Sequence, residues 1–427
     1  MKIWNTRKDG QNQAVDKFLS GEDILLDREL FLYDIQSSIA HVEELRSISV
    51  LNNSESRKLK AALKKLGKLF EKNKFKLTNK FEDCHSAIEY FLTKELGDLG
   101  KKIHTGRSRN DQVLTALRLC YRDKLGLINK LILASSKILL EKAKIYEKEP
   151  MPGYTHLQRA VPSSWGLWFS AFAEAFLDDV ELINRVSDWI NLNPLGTGAG
   201  FGVNLPIKRD ISTQILGFKR KQLNSLYTQN SRGKFELEVV GVLKQPMLDM
   251  RKLTWDMSLF LTQEFNLINI GKRFTTGSSI MPNKINPDVV ELIRGNYSIL
   301  AGTYAELENL LSLPSGYHRD LQITKRSVLH SFEIVIQSFS ILPDLLESIS
   351  INKMQSSELI DEEMMMTDYV YELVKTGTPF REAYHHVKEN KNELKNYKLK
   401  NIKNASIGSV NNLKLNYLNA RLKKLSK

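Results

Sequence analysis

The sequence has little sulfur chemistry to offer. Only two of its 427 residues are cysteines, Cys84 and Cys120. That is too few for a disulfide framework, and neither sits in a Cys-x-x-Cys pair of the kind used for zinc or redox work. A reduced, cytoplasmic setting without structural zinc is implied. Long apolar runs are missing too. Nothing approaches the roughly 20 apolar residues that span a bilayer, and the polar opening MKIWNTRKDGQNQAVDKF lacks the apolar core of a secretion signal. There is no internal repeat, no low-complexity tract and almost no strand-like alternation. Acidic residues are the minority charge, 49 against 62 Lys and Arg, which leaves a net charge of +13. Such an excess suits nucleic acid or anionic metabolites, but no nucleic-acid motif accompanies it. Much of it lies in the tail NARLKKLSK and in RKLKAALKKLGKLFEKNKFK, Arg57 to Lys76. In the latter, Leu59, Leu63, Leu66 and Phe70 recur at helical spacing, so the lysines line a wet helix face.

What is present is helix. The composition, 42% hydrophobic and 26% charged, is that of a soluble globular chain, and the length favours two or three domains. Five long periodic segments stand out. The first runs from about residue 110 to 148, ends before Pro150, and would be roughly 55–60 Å long at 1.5 Å per residue. The others run over about 163–191, 234–269, 287–313 and 322–350. Pro246 and Pro343 predict a kink or break in the third and fifth. An all-α architecture follows, divided as an N-terminal helical domain (1–105), a central long-helix domain (106–351) and a small C-terminal helical domain (352–427). Segments such as WGLWFSAFAEAF are apolar around most of the helix, more than a single bundle needs, which favours an oligomer.

Between the third and fourth segments lies TTGSSIMPNKINPDVVELIRG, Thr275 to Gly295, with no period of its own. Asn286 reads as an N-cap, Pro287 as the first helical residue and Asp288 as a charge suited to the helix dipole. Lys284 beside a helix start suits an anion. Ser278 and Ser279 supply hydroxyls, and Gly277 gives hinge freedom. A lid over a carboxylate-bearing substrate fits this composition; so does an ordinary capped surface loop.

GSSIMPNKINPDVVE matches the GSSxMPxKxNxxxxE signature of the fumarase/aspartase superfamily. GKKIHTGRSRNDQV (Gly100–Val113) and MPGYTHLQRAVPSSW (Met151–Trp165) resemble the argininosuccinate lyase family, as do YHRDLQITK and TPFREAYHHV. The likeness runs in order from about Asp27 to about Val387. It implies a fumarase/aspartase-like three-domain fold whose central five-helix bundle joins three others in a twenty-helix homotetrameric core. The active sites would be shared between subunits. The implied reaction cleaves argininosuccinate to arginine and fumarate through an aci-carboxylate carbanion, without metal or organic cofactor. By the family's pattern Ser278 is the base, activated by loop amides, cations and exclusion of water, and Lys284 and Asn286 hold the fumarate-side carboxylates. Thr155 and His156 form the Thr-His pair, His156 being the acid or a relay to it, with Glu291 as its partner. Arg109, Asn110, Tyr317, Gln322 and Lys325 match substrate-binding positions. His85 matches a position near the site without a clear role.

The chain also departs from the family. It opens with IWNTRKDG in place of a Trp-Gly-Gly-Arg-Phe run. The serine of the first segment has no clear counterpart, Ser20 being the nearest. NSRGKFE replaces a more acidic run but keeps Arg232. Two other readings compete: a lyase acting on another N-substituted succinate such as adenylosuccinate, and a non-catalytic relative like the lens crystallins. HTGRSRND and YHRDLQ argue against the first; intact Ser278, Lys284 and His156 argue against the second. The remaining histidines, His41, His104, His330, His385 and His386, read as core or surface residues, and Met364–Met366 as packing.

Overall fold

The computed structural model describes residue 18 and residues 22–78, 80–397 and 406–427. The opening polar stretch and Ser20 lie outside the described residues. Among the described residues the chain is helical almost throughout, with β-structure confined to two-stranded pairs. Three helices come first: α1 (Asp23–Ser47), α2 (Asn53–Glu71) and α3 (Cys84–Leu96). The five long helices follow as α4 (Arg109–Ile145), α5 (Trp165–Ile190), α6 (Lys234–Phe260), α7 (Asp288–Leu310) and α8 (Ile323–Ser348). The C-terminal region holds α9 (Met366–Lys375), α10 (Phe380–Glu389) and α11 (Leu415–Leu425).

Each long helix answers to one of the five periodic segments, with two differences. The third stops nine residues earlier than its apolar pattern. Past Phe260, the Thr262 hydroxyl accepts the Phe265 amide at 3.2 Å and Asn266 adopts a left-handed φ of 46°. Both divert the backbone from helical bonding. Secondly, the break allowed for at Pro246 does not occur: α6 runs on through it, as α8 does through Pro343; each proline removes one intrahelical donor, and the neighbouring turns carry the helix past it.

The chain divides into two compact units. The first comprises Met1–Leu127, Ile183–Leu243 and Leu300–Glu333, and the second Ile128–Leu182, Lys244–Ile299 and Ile334–Lys427. In the first, α1, α2 and α3 pack around Phe31, Leu45, Leu59, Leu63 and Leu92. Burial of each such side chain stabilises by about 1.5–3 kcal/mol. The lysines of α2 face outward, as its amphipathic pattern requires. Its start is fixed reciprocally: the Asn52 side chain accepts the Glu55 amide and the Glu55 carboxylate accepts the Asn52 amide, both at 2.9 Å. The start of α4 is fixed by Asp111. One carboxylate oxygen accepts the Ser108 amide at 2.9 Å, and the other accepts the amides of Gly196 and Gly198 at 3.0 and 2.9 Å. His41 is a satisfied core residue, 2.9 Å from the Thr105 carbonyl and 3.2 Å from Glu44.

The second unit centres on aromatic rings. Trp165 and Trp168 meet edge to face at 5.6 Å and both contact Phe260, while the Trp168 indole donates to Asp256 at 2.9 Å. Met364 and Met365 are buried, and Met365 packs in an apolar cluster with Val370 and Ala383. Asp179 of α5 is buried and one of its oxygens, Oδ2, has no hydrogen-bond partner. Burial pushes its carboxyl from 3.8 up to about 8, and the carboxylates of Asp249 and Asp178 push the same way. A raised acid contributes stability that is fully present below its unfolded pKa and lost as pH rises through its folded one. Asp179→Asn should therefore overtake the wild type progressively between about pH 4 and pH 8, by at most about 1.4 kcal/mol per pH unit. Thermal melts at several pH values read this directly, and a Tm difference that does not vary with pH contradicts it.

Candidate active site

The sequence-nominated residues fall into two groups, one in each unit. In the first unit a cleft brings together Arg109, Asn110, Tyr317, Gln322 and Lys325, five residues drawn from widely separated stretches. Arg109 and Asn110 arrive on the first turn of α4, behind Ser108 and Asp111. Tyr317 and Gln322 come from the segment before α8, and Lys325 from its first turn.

The cleft also holds residues that the sequence did not nominate as ligands: Asp23, Asp27, Glu82, Asp83, Arg232 and Arg319. These acids change the electrostatics. Lys325 is buried, and its ammonium lies 2.7 Å from Asp27 and 3.1 Å from Asp23. Burial alone would lower its pKa, but Asp27 and Asp23 outweigh that and hold it charged. Arg109 is similarly engaged, 2.7 Å from Glu82 and 3.2 Å from Asp83. Two of the cations nominated for substrate thus already face two carboxylates each. Arg232 donates to the Gln322 side-chain carbonyl at 2.8 Å, with its guanidinium 5.2 Å from the Tyr317 ring centre. The result is a cleft of mixed charge, suited to a ligand that carries both signs. Two of these acids had a legible signal. Asp23 and Asp27 share one face of α1 with Asp34 by helical spacing, and Asp27 and Asp34 are wholly buried, where unpaired charge is costly. His85, whose role the sequence left open, also lines the cleft and bonds Asp34 at 2.7 Å.

The second unit carries Thr155, His156, Ser278, Lys284, Asn286 and Glu291. MPGYTHLQRAV, from which no strand was expected, forms an antiparallel hairpin of β1 (Pro150–Thr155) and β2 (Gln158–Ser164). Its two-residue tip is His156 and Leu157, with φ of 54° and 59°. Consecutive left-handed residues make the turn that matches strand twist, a place where Asn-Gly is usual. Holding a histidine and a leucine there costs about 1–2 kcal/mol each. Strain of this kind is typical of functional positions. Both tip residues are exposed.

The serine loop is clamped at its base. Two short strands, β3 (Thr276–Gly277) and β4 (Ile285–Asn286), pair antiparallel, and the Thr276 hydroxyl donates to the Asp288 carboxylate. The cap falls one residue later than expected: α7 begins at Asp288, and the Pro287 carbonyl accepts the Glu291 amide at 3.1 Å, while Asn286 pairs with Thr276. Residues 278–284 project as a loop. Within it the Ser278 hydroxyl oxygen accepts the amides of Met281 at 3.0 Å and Ile280 at 3.3 Å. Lys284 is exposed, and Glu291 is exposed on the first turn of α7, 3.9 Å from Arg294.

The sequence matches the model of a family described as Lyase over residues 12–302. An argininosuccinate lyase from Xanthomonas campestris pv. campestris (strain B100) is 46% identical over 382 residues, 90% of this chain and 89% of that protein. An argininosuccinate lyase from Stenotrophomonas maltophilia (strain R551-3) is 45% identical over the same share. Among solved structures, EDDS lyase in complex with formate aligns with a TM-score of 0.80 at 22% identity, covering 98% of this chain and 92% of that one. A fumarate lyase from Mesorhizobium sp. BNC1 aligns at 0.71 and 17%, covering 98% and 96%. These structural likenesses establish the fold.

Proposed function

Because this chain belongs to the argininosuccinate lyase family, with the all-α fumarase/aspartase fold, we propose that it cleaves argininosuccinate into arginine and fumarate, the closing step of arginine biosynthesis. The observation that carries the chemistry is the setting of Ser278. Its oxygen is the shared acceptor of two backbone amides. An oxygen so placed is stabilised as an alkoxide more than as a hydroxyl, which is what a serine needs to remove a proton from carbon. The proton leaves the carbon beside a carboxylate, and the electron pair moves into that carboxylate as an aci-carboxylate. The pair then returns to form the fumarate double bond as the carbon–nitrogen bond breaks. His156, oriented through Glu291 and flanked by Thr155, supplies a proton to the departing guanidinium nitrogen or relays it there. Lys284 and Asn286, on the far arm of the loop, hold the fumarate-side carboxylates, and charge growing at that end favours the transition state.

The mixed-charge cleft suits the other end of the substrate. Argininosuccinate carries a guanidinium and an ammonium as well as carboxylates. Acidic neighbours match the first two, while Arg232, Arg109 and Lys325 match the last. We further propose a cytoplasmic homotetramer in which cleft, hairpin and serine loop from different copies complete each site. In the second unit Leu248, Trp255, Leu292 and Ile299 of the long helices are exposed, as is Leu157 at the hairpin tip, and apolar surface of this kind favours association.

Argininosuccinate and adenylosuccinate offered side by side test the substrate assignment; only the first should release fumarate. Serial dilution tests the shared site. Specific activity is expected to fall as the assembly dissociates, and activity that stays constant in a demonstrably monomeric sample contradicts it.

A further inference from the structure

Behind the cleft wall lies a cluster that the proposed reaction does not use as ligands. Asp34 projects from α1, and Cys84 and His85 open α3. His85 Nδ1 is 2.7 Å from Asp34 Oδ2, and Cys84 Sγ is 3.5 Å from that oxygen and 3.7 Å from the same nitrogen. All three side chains are buried. Asp34 Oδ1 and His85 Nε2 have no hydrogen-bond partner, a rare condition for buried polar atoms.

We propose that Asp34, Cys84 and His85 form a binding site for a zinc-class divalent cation, with Sγ, Nδ1 and the Asp34 carboxylate as ligands. Around tetrahedral zinc, with Zn–S about 2.3 Å and Zn–N or Zn–O about 2.0–2.1 Å, the sulfur–nitrogen and sulfur–oxygen edges are about 3.6 Å and the nitrogen–oxygen edge about 3.4 Å. The two sulfur edges already have these lengths. The third must open by about 0.7 Å, which exchanges one hydrogen bond for two metal bonds. A water in the fourth position would then be a partner for Asp34 Oδ1. Thiolate, imidazole and carboxylate together select a borderline-soft ion over magnesium or calcium.

Carboxylates dominate the field at the Cys84 sulfur, where Asp27, Asp34 and Asp83 act against the Lys325 ammonium; Arg109 pairs with Asp83 and the Arg107 guanidinium acts on Asp34 farther out. Burial and then that field hold the thiol protonated; a bound dication displaces to solvent both the thiol proton and the proton held between His85 and Asp34. His85 also lines the cleft, which gives an ion a polar route inward. Cysteine spacing does not reveal this site, because the fold assembles it from two helices.

The probe is Co²⁺ alone, added to the full-length protein. One equivalent is expected to produce the near-ultraviolet charge-transfer band of a cobalt–thiolate bond, and Zn²⁺ should abolish it. The band should vanish in Cys84→Ser and persist in Cys120→Ser, with helicity checked by circular dichroism. Zn²⁺ should also raise the wild-type Tm, and His85→Gln should lose that rise. If Cys84→Ser does not fold, the Tm comparison decides. Absence of the band in the wild type, its survival in folded Cys84→Ser, or an equal Zn²⁺ effect on His85→Gln overturns the proposal and leaves an ordinary buried His–Asp pair.

Discussion

Ser278→Ala is expected to lower kcat by about 10²–10⁴-fold, the usual worth of a positioned general base, while helix content and oligomeric state stay unchanged. The prediction is sharp because the substitution has little else to disturb. The hydroxyl lies on a projecting loop, and its recorded partners are two amides of that same loop. Removing it leaves those amides to water, a small structural cost at an exposed site. Its effect should fall on kcat, since a group that acts mainly in the transition state contributes little to substrate binding. Steady-state kinetics separate the outcomes. A variant with near-wild-type kcat and a raised KM would make Ser278 a binding residue and move the base elsewhere.

Lys325→Met should destabilise the first unit by about 3–5 kcal/mol, the cost of leaving buried charge without its partner. The ammonium lies between Asp27, which is wholly buried, and Asp23. Methionine fills the space but leaves two carboxylates facing each other in a low-dielectric wall. The deficit should shrink in the double variant Asp27→Asn/Lys325→Met. Denaturant unfolding of the four chains of that cycle measures the coupling. Unchanged stability in Lys325→Met would contradict the structural part of the buried pair, whatever the variant does to the substrate-binding role proposed for the same lysine.

The long helices were legible because each buries one stripe and the 3.6-residue period records which residues do so. Their ends were less so. The stop of α6 depends on a threonine hydroxyl and a left-handed asparagine at 262–266, local events that apolar spacing does not register. The hairpin was missed for a similar reason: its tip uses His156 and Leu157 where turn residues would have announced it. Gly277 and Lys284 are readable in type, but the pairing of Asn286 with Thr276 is not, and the cap falls on Pro287, one residue past the asparagine that composition favours. In the cleft, the nominated residues were recognisable by motif, whereas of their acidic counterparts Asp23 and Asp27 were visible only as charges on one face of α1, and Glu82 and Asp83 only as charges just before α3. Burial of an aspartate at a helical core position is a physical signal, and it identifies Asp27 and Asp34 without any motif.

The central claim is an elimination that begins with removal of a proton from carbon. Incubating the wild-type protein with argininosuccinate, and following both the ultraviolet absorbance of fumarate and free arginine, tests it most directly. Equal molar release of the two, lost together in Ser278→Ala, is the predicted result. Intact argininosuccinate after prolonged incubation with a correctly assembled protein, or arginine released without fumarate, would contradict it.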